Sequence, residues 1–352
     1  MDYKSELNEL ILTLVKEQGS DIHLIVGAVP VVRINGELIN LVHKEPLKSE
    51  DTVGFLRAMI SERLFNDFVI KQELDFSFEH LGEYRLRGNA YFEKGLVGIA
   101  LRLVPKPKAF ADLKLPKILE EIAHVKQGLF LVTGPVRQGK STTLASIIEE
   151  INSTERRHII TIEDPIEYVF ENDKSIIDQR EIGMDTSSFQ NALKQAFRQD
   201  VDVIMLGEMR SVDTISAAVT AAETGHLVLS TLHTNSASQT INRIIDSFPG
   251  EQQGQIRQQL SSSLLGVFSQ RLLPSASGGL IPAYELLLNN VAVANLIRDG
   301  RVNEIDLVIE TSRDQGMIDF NRQLSELVRS GQITIDVAMS NSRNPRALEK
   351  MI

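Results

Sequence analysis

The spacing of apolar and polar positions splits the chain into two patterns of different kind. Near the start, Leu7, Leu10, Ile11, Leu14 and Val15 recur at helical spacing, and Gly19 follows as a C-cap. Ile22 to Val26 and Val31 to Ile34 then read as strands, the second turning through Asn35-Gly36, a type I′ hairpin signal, into Glu37 to Leu41. The periodicity predicts a single helix over Ser49 to Val69, a strand at Leu74 to Phe78, and a β stretch from Tyr84 to Val104 broken at Glu93-Lys94-Gly95. Runs of strands around few helices predict a small α+β domain over residues 1–104. Residues 105–112 form the linker, because the prolines of Pro105-Lys-Pro-Lys-Ala-Phe deny both helix and central strand.

Beyond the linker, strand and helix alternate. Apolar strands at Gly128 to Thr133, His158 to Ile162, Val203 to Leu206 and Leu227 to Leu232 are interleaved with helical stretches at Ser141 to Ile151, Ser187 to Arg198 and Ser211 to Thr224. That order predicts an α/β core, a parallel sheet flanked by helices, over residues 113–274. From about Gln252 the pattern is mostly helical, with Ser275-Ala-Ser-Gly-Gly279 as a surface loop before an apolar stretch at Leu280 to Leu288. Residues 275–352 are accordingly expected to form a mostly helical C-terminal subdomain.

Composition narrows the partners. With 37 Lys and Arg against 47 Asp and Glu, the net charge of -10 repels phosphate backbones, so no nucleic-acid partner is expected. No cysteine is present, which removes disulfides and Cys-based zinc sites and fits a reducing compartment. The apolar runs are too short to span a bilayer, and Met1-Asp-Tyr-Lys-Ser-Glu lacks the form of a signal peptide, so the expected location is cytoplasmic.

Candidate chemistry begins at Gly134-Pro-Val-Arg-Gln-Gly-Lys-Ser141, two glycines flanking a four-residue interior and followed by Lys and Ser, set between a strand and a helix. Glycines there let backbone N–H groups turn inward around a phosphate, the Lys140 ammonium can reach the β/γ oxygens, and the Ser141 hydroxyl can ligate Mg²⁺. Gly134, Pro135, Val136, Arg137, Gln138, Gly139, Lys140, Ser141 and Thr142 are therefore the candidate nucleotide-binding residues, with ATP and Mg²⁺ the expected ligands; the competing reading is a tight turn whose glycines serve packing. Hydrolysis also needs carboxylates at the same ends of the strands. Glu163, with Asp164 before Pro165, ends one strand, and Glu208 follows another; either could orient water or hold Mg²⁺ through solvent, or each could merely cap the next turn.

Two histidines, His226 and His233, bracket the apolar Leu227 to Leu232 strand. One could sense a γ-phosphate while the other makes a structural or subunit contact. In the first domain Arg85 and Arg87 share a strand face with Arg102 on the partner strand, either a solvated face or an arginine finger for a neighbouring subunit's nucleotide.

Taken together these residues resemble the secretion-superfamily ATPases, and within them the type IV pilus retraction ATPases of the PilT/PilU family. The resemblance covers essentially the whole chain. It rests on Ser20-Asp-Ile-His-Leu24, the loop GPVRQGKSTTLAS, the acidic box Ile160-Thr-Ile-Glu-Asp-Pro-Ile-Glu167, Gly207-Glu-Met-Arg210, and Ala222-Glu-Thr-Gly-His-Leu227 running on to Thr231-Leu-His-Thr234. It implies a RecA-like P-loop ATPase domain preceded by a PAS-like α+β domain. Glu163 would be the catalytic carboxylate, Glu208 would support Mg²⁺ and water, and His226 and His233 would form the family's histidine box, while Arg85, Arg87 and Arg102 complete a neighbour's site. It further implies a homo-hexamer powering pilus retraction and twitching motility, peripheral at the inner membrane, working on a membrane platform protein and beside a paralogous retraction ATPase. Two positions depart from the family's pattern. Val136-Arg137-Gln138 replaces a loop interior that is usually small and uncharged, and Ala294 stands where PilT-like chains carry Arg. These support one alternative, an accessory subunit with weak hydrolysis; a second alternative keeps the fold and changes the task to pilus assembly or type II secretion, and the absence of cysteine counts against it.

Overall fold

The computed structural model describes residues 2–34, 36–81 and 84–352. Its chain forms two compact units, Met1–Lys106 and Pro107–Ile352. The first is a six-stranded antiparallel sheet with three helices: α1 (Tyr3–Lys16), β1 (Asp21–Leu24), β2 (Val31–Ile34), β3 (Glu37–Asn40), α2 (Ser49–Met59), α3 (Glu62–Lys71), β4 (Glu73–His80), β5 (Tyr84–Glu93) and β6 (Leu96–Val104). Strand order is β3-β2-β1-β6-β5-β4. Leu7, Leu10, Ile11 and Leu14 on the inner face of α1 bury against Ile22, Leu24, Val32, Phe55 and Ile99, as their helical spacing predicts. The expected single helix over Ser49 to Val69 is two helices. Ile60 leaves helical geometry and the Ser61 hydroxyl caps α3 by accepting from the Leu64 N–H, a local signal that the continuing apolar spacing conceals. Of the expected Asn35-Gly36 turn, Asn35 lies outside the described residues; Gly36 takes φ +86.

The second unit runs α4 (Phe110–Leu113), α5 (Ile118–Ala123), β7 (Gly128–Thr133), α6 (Lys140–Thr154), β8 (His158–Glu163), β9 (Ile176–Glu181), α7 (Phe189–Ala196), β10 (Val203–Leu206), α8 (Val212–Glu223), β11 (Leu227–Leu232), α9 (Ala237–Asp246) and α10 (Gly250–Ser263). There follow β12 (Leu264–Pro274), β13 (Leu280–Leu288), α11 (Val291–Asp299), α12 (Ile305–Thr311), α13 (Phe320–Arg329), α14 (Ile335–Asn341) and α15 (Pro345–Glu349). Seven strands make one sheet in the order β13-β12-β7-β11-β10-β8-β9. β7, β10 and β11 are buried at every position, as strands covered on both faces must be. Two readings of the sequence need correction. Within the mostly helical stretch after Gln252 two strands went unread: β12 runs parallel to β7 and β13 returns antiparallel to β12, extending the core sheet. The expected boundary at 274/275 therefore falls inside a β-hairpin, whose far end packs Leu273, Ile281 and Ala283 against Phe320, Leu324 and Leu348 of the C-terminal helices. β9, absent from the sequence reading, adds an edge strand parallel to β8.

Candidate nucleotide site

Parallel strands bring their C-terminal ends to one edge, and β7, β8, β10 and β11 lie side by side there. Register pairs Thr133 with Leu232 and Leu206 with both Ser230 and Ile162, so Glu163 at the end of β8 and the residues that follow the other strands, Gly134, Gly207-Glu208 and His233, emerge together.

The loop after β7 is built against β12. Gly134 has φ +146, and a Cβ there would sit 2.2 Å from the Gln270 carbonyl oxygen, so backbone packing and dihedral both demand glycine. Gln270, 3% exposed, donates from Nε2 to the Gln138 carbonyl at 2.9 Å and accepts at Oε1 from Thr143 Oγ1 at 2.7 Å. In return Gln138 Oε1 accepts the Leu272 N–H at 2.6 Å. Gln138 is thus a brace between loop and strand, a role its unusual size in the sequence did not reveal. Arg137 is exposed and held at φ +62, the left-handed region.

Lys140, 7% exposed, directs its ammonium at the Gly134 carbonyl (2.9 Å), the Pro135 carbonyl (2.8 Å) and His233 Nδ1 (3.3 Å). An ammonium only donates, so His233 Nδ1 accepts and its ring proton sits on Nε2. That atom lies 3.6 Å from Glu208 Oε2, whose other oxygen pairs with Arg210 Nη2 at 2.7 Å. Burial lowers the His233 pKa, and the nearby Lys140 charge lowers it further, so the ring is neutral at physiological pH. Burial likewise lowers the Lys140 pKa, against the opposing pull of Glu167 and Glu208. Glu167 is a site neighbour that the acidic box contained and the sequence reading did not single out.

Glu163 is 4% exposed, and burial raises its pKa. Oε1 accepts from Thr161 Oγ1 at 2.7 Å and from Gln179 Nε2 at 3.5 Å, and Oε2 accepts from the Glu167 N–H at 3.0 Å. Tyr168 of the same segment hydrogen-bonds Thr142 at 2.7 Å, tying the acidic box to the start of α6. Thr161, Gln179 and Gln270 were all missed by sequence reasoning, two of them because β9 and β12 were not recognised as strands. Beside Glu208 and His233 opens a cleft of about 520 Å³, lined further by Arg210, Thr234, Gln239 and Arg243.

His226 is not part of this cluster. It precedes β11 while His233 follows it, placing the two about 20 Å apart along an extended strand. Its Nδ1 lies 3.1 Å from the Ala221 carbonyl and its ring meets Phe197 edge-on at 5.5 Å, a contact at the C-terminal end of α8. Of the arginines in the first unit, Arg87 and Arg102 are cross-strand partners and Arg85 lies two positions along β5. Arg102 Nε donates to Asp21 at 2.8 Å and Arg85 Nη2 to Ser77 at 3.1 Å.

Residues 105–344 match the family model described as Type II/IV secretion system protein. The chain belongs to the type II/IV secretion system protein family. Within this family it is 39% identical over 341 residues to the type IV pilus retraction ATPase PilT of Pseudomonas aeruginosa, covering 97% of this chain and 99% of the relative. Identity to the type IV pilus ATPase PilU of the same organism is also 39%, over 349 residues, covering 99% and 91%. Its fold matches the crystal structure of the pilus retraction motor PilT with bound ADP, with TM-score 0.90 and 46% identity over 97% of this chain and 98% of that one. A family member that binds ADP thus shares this fold nearly end to end.

Proposed function

We propose that the chain is an ATP-hydrolysing motor for type IV pilus retraction and twitching motility. The observation that carries this reading is the line Lys140–His233–Glu208 at the mouth of the Gly134–Ser141 loop, in a chain similar over its whole length to PilT. The loop's backbone cradles the phosphates, and Lys140 exchanges its carbonyl partners for β/γ oxygens as the nucleotide arrives. Neutral His233 relays the state of Lys140 to Glu208. Glu163 is the base that orients water: its buried carboxylate has a pKa above the ordinary range, as a proton acceptor working near neutrality needs.

The donor set fits a magnesium ion. Ser141 opens the first turn of α6 and Glu208 faces the same edge, with Glu163 able to act through water, while Mg²⁺ keeps several waters and phosphate oxygens as its other ligands. Bound, the ion would neutralise charge developing on the phosphates. Among the described residues no cluster of three or more His, Cys, Asp or Glu side chains could hold a metal alone, so Ser141, Glu208 and Glu163 would need the nucleotide's oxygens.

The working form is a homo-hexamer in which Arg85, Arg87 and Arg102 complete a neighbour's site, acting in the cytoplasm at the inner membrane on a platform protein and beside a paralogous retraction ATPase. No helix among the described residues is long and apolar enough to cross a membrane. A second reading, an accessory subunit with weak hydrolysis, is favoured by one observation, the exposed Arg137 in left-handed geometry within the loop. ATPase assays of the purified ring, alone and with a co-expressed paralogue, separate the two. Lys140→Ala abolishes turnover under the motor reading; unchanged turnover in that variant would sink it.

A further inference from the structure

One side chain carries a polar contact from the C-terminal segment to the nucleotide edge. Arg343 lies between α14 and α15, yet its Nη1 contacts Glu285 Oε2 of β13 at 2.5 Å and its Nη2 donates to the Asn235 carbonyl. Asn235 is two residues past His233. Glu285 is 4% exposed, and its second oxygen accepts the Ala237 N–H at 2.8 Å, the first residue of α9. The guanidinium also lies 5.3 Å over the Phe320 ring, which fixes its plane. One arginine therefore closes a circuit of C-terminal segment, buried carboxylate and the His233–Ala237 turn.

We propose that Arg343 is a positioning residue, a latch by which the C-terminal helical segment sets where His233 stands relative to Lys140 and Glu208. This rests on the ATPase reading above. The chemistry suits a latch better than a stabiliser. A buried ion pair contributes little net stability, because the cost of desolvating two charges offsets their attraction, yet it is geometrically exacting. Arginine serves the carboxylate and the carbonyl at once through N–H groups fixed in one plane; a lysine ammonium has donors enough but lacks that rigid fork, so it would not hold the two acceptors in the same geometry. His233 needs this precision, since its two ring nitrogens face two partners, and a displacement of about 1 Å at such a position can cost about a hundredfold in rate.

The test uses the full chain with Arg343→Met, Arg343→Lys and the double variant Glu285→Met/Arg343→Met. It reads kcat, nucleotide affinity by a fluorescent ATP analogue, melting temperature, and hydrogen exchange of the 235–240 amides. The latch predicts that Arg343→Met lowers kcat about tenfold or more with nucleotide affinity held within about twofold, and that exchange quickens in 235–240. Arg343→Lys recovers part of kcat. The double variant, which removes both buried charges, regains melting temperature and not kcat. The proposal is overturned if Arg343→Met keeps kcat within about twofold of the parent, or if the double variant regains turnover together with stability. Should Arg343→Met fail to fold, the double variant decides alone. A parent chain without turnover would remove the ATPase reading, whereas unchanged exchange in 235–240 would remove the latch.

Discussion

Replacing Arg137 by glycine and, separately, by alanine divides a backbone effect from a charge effect inside the phosphate loop. Arg137 sits at φ +62, where a Cβ crowds the following carbonyl at a cost of about 1–2 kcal/mol. Alanine keeps that crowding and removes the guanidinium. Glycine removes both, but restores about 0.5–1 kcal/mol of unfolded-chain freedom. The glycine variant should therefore be more stable than the alanine variant by about 0.5–1 kcal/mol, and the unit Pro107–Ile352 should melt about 1–4 °C higher. Since Arg137 is exposed, Arg137→Ala should leave the melting temperature within about 1 °C of the parent. Thermal melts of the three proteins, with ATP turnover measured on each, read both effects. A glycine variant no more stable than the alanine variant would refute a left-handed backbone at 137. If turnover rises several-fold in both variants, the guanidinium restrains the loop, and the accessory-subunit reading gains the support the motor reading loses.

Other outcomes follow from the same geometry. Glu163→Gln should lower kcat by about 10²–10³ while nucleotide still binds. Because burial raises the Glu163 pKa, activity in the parent should fall as pH drops through a value above the ordinary carboxylate range, and Thr161→Val, which removes a bond to the ionised form, should move that acid limb higher still. The stability sign is opposite: a raised carboxyl pKa favours the fold at pH below the unfolded-state value and is lost as pH rises through the folded one, so Glu163→Gln should melt higher than the parent at pH 8 and lose that advantage near pH 4. Gly134→Ala, whose Cβ would meet the Gln270 carbonyl at 2.2 Å, should abolish nucleotide binding measured by equilibrium titration and destabilise by about 2 kcal/mol or more; binding within a few-fold of the parent would contradict the packing of loop on β12. Gln270→Leu should destabilise by about 1–3 kcal/mol in urea melts, because it strips partners from Thr143 and the Gln138 carbonyl.

What could be read from the sequence depended on how sharply each element is bounded. β7, β10 and β11 are mostly apolar runs closed by Thr133-Gly134, Gly207 and His233, so their limits and the Glu208 carboxylate beyond β10 were legible. β12 was not. It begins at Leu264 directly after α10 ends at Ser263, with no Gly, Pro, Asn or Asp between them to punctuate the change, and Ser269-Gln-Arg271 interrupts its apolar run. Losing that strand hid Gln270, and with it the reason for Gln138. The two histidines were correctly placed at the ends of one strand, but only the sheet order shows which end meets Lys140.

The hairpin of β12 and β13 also bears on how the chain can be dissected. Cutting after Pro274 would leave β12 with its outer row of backbone N–H and C=O groups unpaired, a bare margin eleven residues long beside the ATPase loop. Such a fragment invites strand-to-strand aggregation, and weak turnover in it would report the ragged sheet edge, with no bearing on the catalytic residues. A fragment that starts at Pro107 and keeps the hairpin together with the helices packed on it retains the second compact unit whole, though without the arginines of the first.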